Sequence, residues 1–147
     1  MPQPQNSLPF KDGSGGRVEI FIDGAARGNP GESGIGIFVT EGGKTLREIK
    51  KYLGTATNNQ AEYTALITAL ESVKDLKNRQ IQIFTDSMLL ANQINGLWKV
   101  KHPGIAELHK KAKSLLKEYA SISISHVRRE YNREADRLAN EAIDEYL

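Results

Sequence analysis

The stretch VEIFIDGAARGNPG, residues 18–31, predicts a buried strand that runs into a glycine-rich turn. Asp23 alternates with Phe21, so a charge falls on a side of the strand where apolar contact is expected. The same pattern returns in IQIFTDS, residues 81–87, where Asp86 follows a second strand. Two strands that end in the same way indicate one shared acidic site.

The composition is that of a single globular domain. The chain has 147 residues, of which 39% are hydrophobic and 26% charged, enough to bury a core without covalent cross-links. It has no cysteine, which excludes a disulfide framework and any cysteine-based zinc or redox site. No apolar run approaches the roughly 18 residues that span a bilayer, and no signal-peptide pattern is present. We therefore expect a cytoplasmic protein with no membrane partner, and a monomer by default.

The charges are distributed unevenly along the chain. Residues 88–129 contain eight lysines and arginines against two acids, a local charge of +6, so the remainder carries −4 within the net charge of +2. Such asymmetry fits a basic surface that binds a polyanion, with a separate acidic site facing it. The alternative is a lysine-rich helix face that is merely solvated.

The order of apolar patterns predicts an α/β protein. Residues 1–16 are rich in Pro, Gln, Ser and Gly and predict a flexible tail, which leaves one domain over 17–147. Strands are predicted at about 17–23, 34–40, 45–53, 80–85 and 121–127, and helices at about 60–75, 87–95, 105–119 and 133–146. The order β-β-β-α-β-α-α-β-α predicts a five-stranded mixed sheet with helices on its faces. Sites in such sheets form beyond the carboxyl ends of the parallel strands.

Four acids fall at such strand ends or helix starts, and three of them have an ordinary structural alternative. Asp86 could cap the helix that follows it, Glu62 could form a capping box with Asn59, and Asp136 could complement a helix dipole. Asp23 has no comparable explanation, because a turn needs no charge on that face. Glu62 also lies on the apolar stripe of its predicted helix, which directs it towards the sheet.

A cluster of these four acids predicts metal-dependent nuclease chemistry. Clustered carboxylates repel one another unless a cation compensates, and an all-oxygen donor set suits Mg²⁺, with Mn²⁺ as an alternative. Two such ions roughly 4 Å apart promote in-line displacement at a phosphodiester by activating the attacking water and neutralising the leaving oxygen. An acidic cluster beside a basic flank therefore favours a nuclease.

Five motifs, taken together and in this order, resemble the type 1 ribonuclease H family: IDGAARGNPGESGIGIFV, TNNQAEYTALITALE, IFTDS, LWKVK and HVRREYNREADRLANEA. The match runs from residue 17 to about 146. The resemblance implies a ribonuclease H-like fold and a catalytic domain over 17–147. It also implies endonucleolytic hydrolysis of the RNA strand of an RNA–DNA hybrid, leaving 5′-phosphate and 3′-hydroxyl ends. Cleavage of double-stranded RNA stays open.

The same resemblance assigns roles to the acids. It implies that Asp23 bridges two Mg²⁺ ions, that Glu62 and Asp86 complete the leaving-group metal site, and that Asp136 holds the nucleophile-side metal. The implied substrate contacts are in three short segments: Gly24 and Asn29; Thr57, Asn58, Asn59 and Gln60; and Ser87. The asparagines and Thr57 match family residues that bind the DNA strand. Gln60 and Ser87 match family residues that contact the minor groove of the hybrid. The alternative for the asparagines is that they only form turns and helix caps.

Two departures from the family pattern affect the expected site. The stretch before Asp136 lacks the histidine that many members carry, and Arg129 is expected to act in its place. His126 lies in an alternating strand and is expected to be structural, while His102 and His109 are expected at the surface.

The second departure concerns a basic helix-and-loop insertion that some family members carry between the short helix and the long one and use to bind the substrate. This insertion is absent here. Trp98, Lys99 and Lys101 are expected to supply a reduced version of it. Trp98 alternatively anchors its loop to the core.

The competing interpretations are another nuclease on the same fold, such as an integrase, resolvase or exonuclease relative, and a non-catalytic nucleic-acid-binding module. TNNQAE and GNPG disfavour the first, and four intact acids disfavour the second. An ordinary α/β binding domain, in which every acid is a cap, is the third.

Overall fold

The computed structural model describes residues 17–147, and the predicted tail over 1–16 lies outside this range. The strands are β1 (Val18–Gly28), β2 (Gly31–Glu41), β3 (Lys44–Ala56), β4 (Gln80–Thr85) and β5 (Ser121–His126). The helices are α1 (Asn58–Ser72), α2 (Met88–Ile94), α3 (Pro103–Leu116) and α4 (Arg133–Tyr146). The predicted order of elements is therefore confirmed. Within the described range, no helix combines the length and the apolarity needed to cross a membrane.

The strands form one mixed sheet in the order β3-β2-β1-β4-β5. The central strand β1 runs antiparallel to β2 and parallel to β4. Ile22 and Thr85 are the last pair of the parallel ladder, so Asp23 and Asp86 leave neighbouring strands at the same edge. This confirms that the two repeated strand endings lie side by side.

The first hairpin is longer than the sequence predicts. The apolar pattern ends at Asp23, yet β1 stays paired with β2 until Gly28 faces Gly31. An alternating apolar pattern indicates which side chains of a strand are buried. Strand pairing depends on backbone hydrogen bonds, and these continue beyond the apolar residues towards the turn. The extra length keeps the residues after Asp23 in register with the sheet.

Two glycines bring a helix close to each face of the sheet. A Cβ on Gly24 would lie 2.3 Å from the carbonyl carbon of Ala61 in α1. A Cβ on Gly36 would lie 2.1 Å from the carbonyl oxygen of Ala135 in α4. Gly36 pairs with Asp23 and so shares its face, while Gly24 points to the other. The acids on both helices are thereby held against the end of β1.

Candidate active site

The four predicted acids come together at the end of β1. Oxygen atoms of Asp23, Glu62 and Asp86 all lie within 4.8 Å of one another. Asp136, in the first turn of α4, lies close enough to Asp23 to raise the pKa of that carboxyl. Asp23 is at the centre of the cluster and is only 4% exposed.

Glu62 belongs to the cluster and does not cap its helix. The capping box of α1 is formed by Thr57 and Gln60, whose side chains accept from each other's backbone N–H groups at 3.1 and 2.9 Å. The alternative that Asn59 and Glu62 form a capping box is therefore wrong. Instead, the Oε1 atom of Glu62 accepts a hydrogen bond from the backbone N–H of Gly24 at 3.0 Å. This bond joins α1 to the residue that follows Asp23.

Asp86 does not cap a helix either. Helix α2 is capped by Ser87, whose hydroxyl accepts from the N–H of Leu90 at 3.1 Å. The Oδ2 atom of Asp86 accepts from the Nδ2 of Asn132 at 3.2 Å. The alternative of Asp86 as an N-cap is wrong, and its carboxylate faces the other acids.

Asn132 is a site residue that sequence reasoning missed. It is 1% exposed, and besides Asp86 its Nδ2 donates to the carbonyl of Ile22 at 2.9 Å. Its Oδ1 has no hydrogen-bond partner among residues 17–147. It lies inside the motif that contains Asp136, but its partners are remote in sequence and only the fold reveals them. Asn132 ties the end of β1 to the acid that follows β4.

The cluster favours protonated acids unless a cation is present. Burial first, and then the charges of Glu62, Asp86 and Asp136, raise the pKa of Asp23 to about 10. Burial and Asp86 raise the pKa of Glu62 to about 8, although the Gly24 N–H and Arg129 oppose the rise. Burial also raises the pKa of Asp86. The donor set is all carboxylate oxygen, which fits a hard divalent cation.

These features agree with the comparisons to known proteins. A family model described as reverse transcriptase-like matches residues 21–142. A ribonuclease H of Clostridium botulinum is 35% identical over 150 residues, covering 88% of this chain and 97% of that protein. The crystal structure of RNase H1 from Halobacterium salinarum superposes with a TM-score of 0.84 at 42% identity, covering 88% of this chain and 99% of that one. The chain belongs to the type 1 ribonuclease H family.

A further family member, LC11-RNase H1, was solved in complex with an RNA/DNA hybrid. It has a TM-score of 0.83 and 41% identity, covering 88% of this chain and 98% of that one. The present chain spans 66% of the length of the curated Halobacterium salinarum ribonuclease HI, which is 43% identical over 132 residues. It spans 36% of the Mycobacterium tuberculosis relatives, which are 40% identical over 130 residues.

The predicted contacts to the DNA strand lie beside the acids. The N–H of Asn58 donates to the Oδ1 of Asn29 at 2.9 Å, which joins the GNPG turn to the start of α1. Asn29, Asn58 and Asn59 are exposed. Asn58 and Gly24 also line a cavity of about 430 Å³ together with the acids. Short exposed amides at a helix start are suited to phosphate and sugar.

The loop after α2 is set apart from the acids. Trp98 is 46% exposed, and Lys99 and Lys101 are exposed as well. Val100 packs against the core, so it is Val100 that fastens the loop and the indole of Trp98 stays accessible. None of these residues lines the 430 Å³ cavity.

Arg129 and His126 are two of the basic residues near the cluster. Arg129 Nη2 lies 3.9 Å from Asp136 Oδ1, with 83% of the arginine side chain exposed. His126 is exposed at the end of β5 and is paired in the sheet with Thr85, the residue before Asp86.

The other two histidines form hydrogen bonds with backbone groups of α2 and α3. His109, expected at the surface, is half-buried with Nε2 3.2 Å from the carbonyl oxygen of Gln93. His102 is exposed as expected, and its Nδ1 caps α3 by accepting from the N–H of Gly104 at 2.9 Å.

Proposed function

We propose that this chain is an endoribonuclease that hydrolyses the RNA strand of RNA–DNA hybrids with the help of divalent ions. The observation that carries the proposal is the meeting of Asp23, Glu62, Asp86 and Asp136 at the end of β1 and β4. Its support from the comparisons is that the relatives are named ribonuclease H and that one of them was solved with a hybrid.

The four acids are proposed to hold two Mg²⁺ ions, or Mn²⁺ in their place. When bound, the ions would activate the attacking water and neutralise the leaving oxygen. Asp23 contacts the other acids and suits the shared ligand position. Glu62 and Asp86 are proposed on the leaving-group side, and Asp136 on the nucleophile side. Mutual repulsion in the cluster would be relieved by the cations, which favours loading.

Arg129 is proposed to assist turnover from the open side of the cluster. Its guanidinium reaches Asp136 from an exposed position, so it can contact solvent and product without being held in the core. It carries a permanent charge and would therefore favour the departure or neutralisation of an anionic product group. A general-base role is not open to it, because the guanidinium stays protonated.

The hybrid is proposed to lie across the starts of α1 and α2. Asn29, Thr57, Asn58 and Asn59 would hold the DNA strand, and Gly24 would contact the substrate. Gln60 and Ser87 would face the minor groove, where 2′-hydroxyls distinguish RNA from DNA. The exposed Trp98, Lys99 and Lys101 would meet the duplex further out. Double-stranded RNA as a second substrate, a monomeric state and a cytoplasmic location stay predictions from the sequence.

The test uses labelled RNA–DNA hybrid, double-stranded RNA and duplex DNA, each with Mg²⁺ or with EDTA. We expect cleavage of the RNA in the hybrid, with 5′-phosphate ends, and its loss in EDTA and in Asp23→Asn. The matched control is Asp75→Asn, which changes an exposed aspartate beyond the far end of α1 and should cleave like the unmodified chain. Full activity in Asp23→Asn would contradict the proposed mechanism.

A further inference from the structure

Beyond the acids, a second set of polar residues joins β1 to α4. Asp23 and Arg27 lie four residues apart on β1 and share the face that α4 covers. Asp136, Asn140 and Asp144 lie four residues apart on α4 and form one stripe. The strand and the stripe meet where Arg27 Nη1 lies 2.7 Å from Asp144 Oδ1 and Arg27 Nη2 donates to Asn140 Oδ1 at 3.1 Å.

The arginine determines which end of the Asn140 amide faces the acids. A guanidinium has donors only, so Asn140 must turn its oxygen towards Arg27. The Nδ2 of Asn140 then points to Asp136, where it donates to the backbone carbonyl at 3.0 Å and to the carboxylate Oδ1 at 3.3 Å. Arg27 thus fixes a donor on the Asp136 carboxylate through Asn140.

We infer that Arg27 and Asn140 are positioning residues that orient the Asp136 carboxylate for the divalent ion on the nucleophile side. The inference rests on the proposed function, because it takes the four acids as metal ligands. A carboxylate that is already anchored loses less side-chain freedom when it binds an ion. Partners of this kind, one shell out from the ligands, typically contribute 10–100-fold in metal affinity. Both residues also line the 430 Å³ cavity that contains the acids.

The test measures Mg²⁺ binding to the substrate-free protein by calorimetry, for the unmodified chain, Arg27→Met and Asn140→Ala. We expect both variants to bind Mg²⁺ about tenfold more weakly. The double variant should be no weaker than Asn140→Ala, because both changes remove the same anchoring bond. In hybrid cleavage, the Mg²⁺ concentration for half-maximal rate should rise by a similar factor, while KM for the hybrid at saturating Mg²⁺ stays unchanged.

Two control variants separate positioning from general charge effects. Arg137→Gln removes an arginine of α4 that pairs with Glu134 and Glu141, and should bind Mg²⁺ normally. Asp144→Asn removes the ion pair of Arg27 but keeps its bond to Asn140, and should also bind Mg²⁺ normally. Circular dichroism confirms that each variant is folded.

Three results would overturn the inference. The first is normal Mg²⁺ affinity in folded Arg27→Met and Asn140→Ala. The second is a raised KM for the hybrid with unchanged Mg²⁺ affinity, which would make Arg27 a substrate contact. The third is an equal loss in Asp144→Asn, which would make the effect one of charge alone. If the unmodified chain binds Mg²⁺ but cuts no hybrid, the proposed function fails while calorimetry still decides the positioning role.

Discussion

Replacing Asp23 by asparagine should stabilise the metal-free protein while it removes activity. The pKa of Asp23 is raised from 3.8 to about 10, mainly by burial. Below pH 4 the carboxyl is protonated in both the folded and unfolded states, so it has no effect on stability. Above pH 4 the unfolded chain releases the proton and the folded chain keeps it. The free energy of unfolding of the metal-free protein therefore falls as the pH rises.

The size of the effect at pH 7 follows from the same values. Neutral pH lies about three pH units above the ordinary pKa, and each unit corresponds to 1.36 kcal/mol, so retention of the proton costs up to about 4 kcal/mol. An asparagine amide has nearly the same shape, carries no charge and can donate a hydrogen bond to a neighbouring carboxylate. We expect Asp23→Asn to raise the free energy of unfolding by about 2–4 kcal/mol at pH 7 and by close to zero at pH 4.

The assay is urea denaturation in EDTA between pH 4 and pH 8, followed by circular dichroism, with the slope against urea checked for constancy. Glu107→Gln is the matched control, since Glu107 is an exposed acid on α3 and its neutralisation should change stability by less than about 0.5 kcal/mol. An Asp23→Asn protein that is less stable than the unmodified chain at pH 7, or a gain that does not shrink towards pH 4, would refute the reasoning.

Three further outcomes are expected. Addition of Mg²⁺ should raise the Tm of the unmodified chain more at pH 8 than at pH 5, because protons compete for the same carboxylates; an equal rise, measured by differential scanning fluorimetry, would contradict this. Arg129→Ala should lower kcat more than it changes KM in steady-state cleavage, and an unchanged kcat would discard its role. Gly36→Ala should cost about 3 kcal/mol in urea denaturation, because its Cβ would overlap the Ala135 carbonyl; a stability loss below about 0.5 kcal/mol would show that α4 shifts freely.

Asp23 was predictable because its position conflicts with the local pattern, and Asp86 because it repeats the same strand ending. A charge on the Phe21 side of β1 and a repeat of that ending before Asp86 are visible in the sequence alone. Parallel pairing of the two strands then brings them together without further information. Such conflicts between a residue and its local setting are expected at functional sites.

The start of α1 shows why other details were not predictable. Two overlapping patterns have the form of a capping box, Thr57 with Gln60 and Asn59 with Glu62. Local chemistry does not separate them, since both offer an acceptor and a reciprocal partner three residues on. The choice is made by the sheet, because Gly24 donates to Glu62 and draws that side chain away from the helix start.

The partners of the acids were hidden for a related reason. Asn132 and Asn140 form hydrogen bonds with Ile22 and Arg27 of β1, which lie 110 and 113 residues away along the chain. Such bonds depend on how closely the helix approaches the strand, and that distance is set by Gly36, which has no functional group. A larger residue there would move Asp136 and Asn140 together, so the geometry of the cluster depends on the absence of one side chain as much as on the carboxylates.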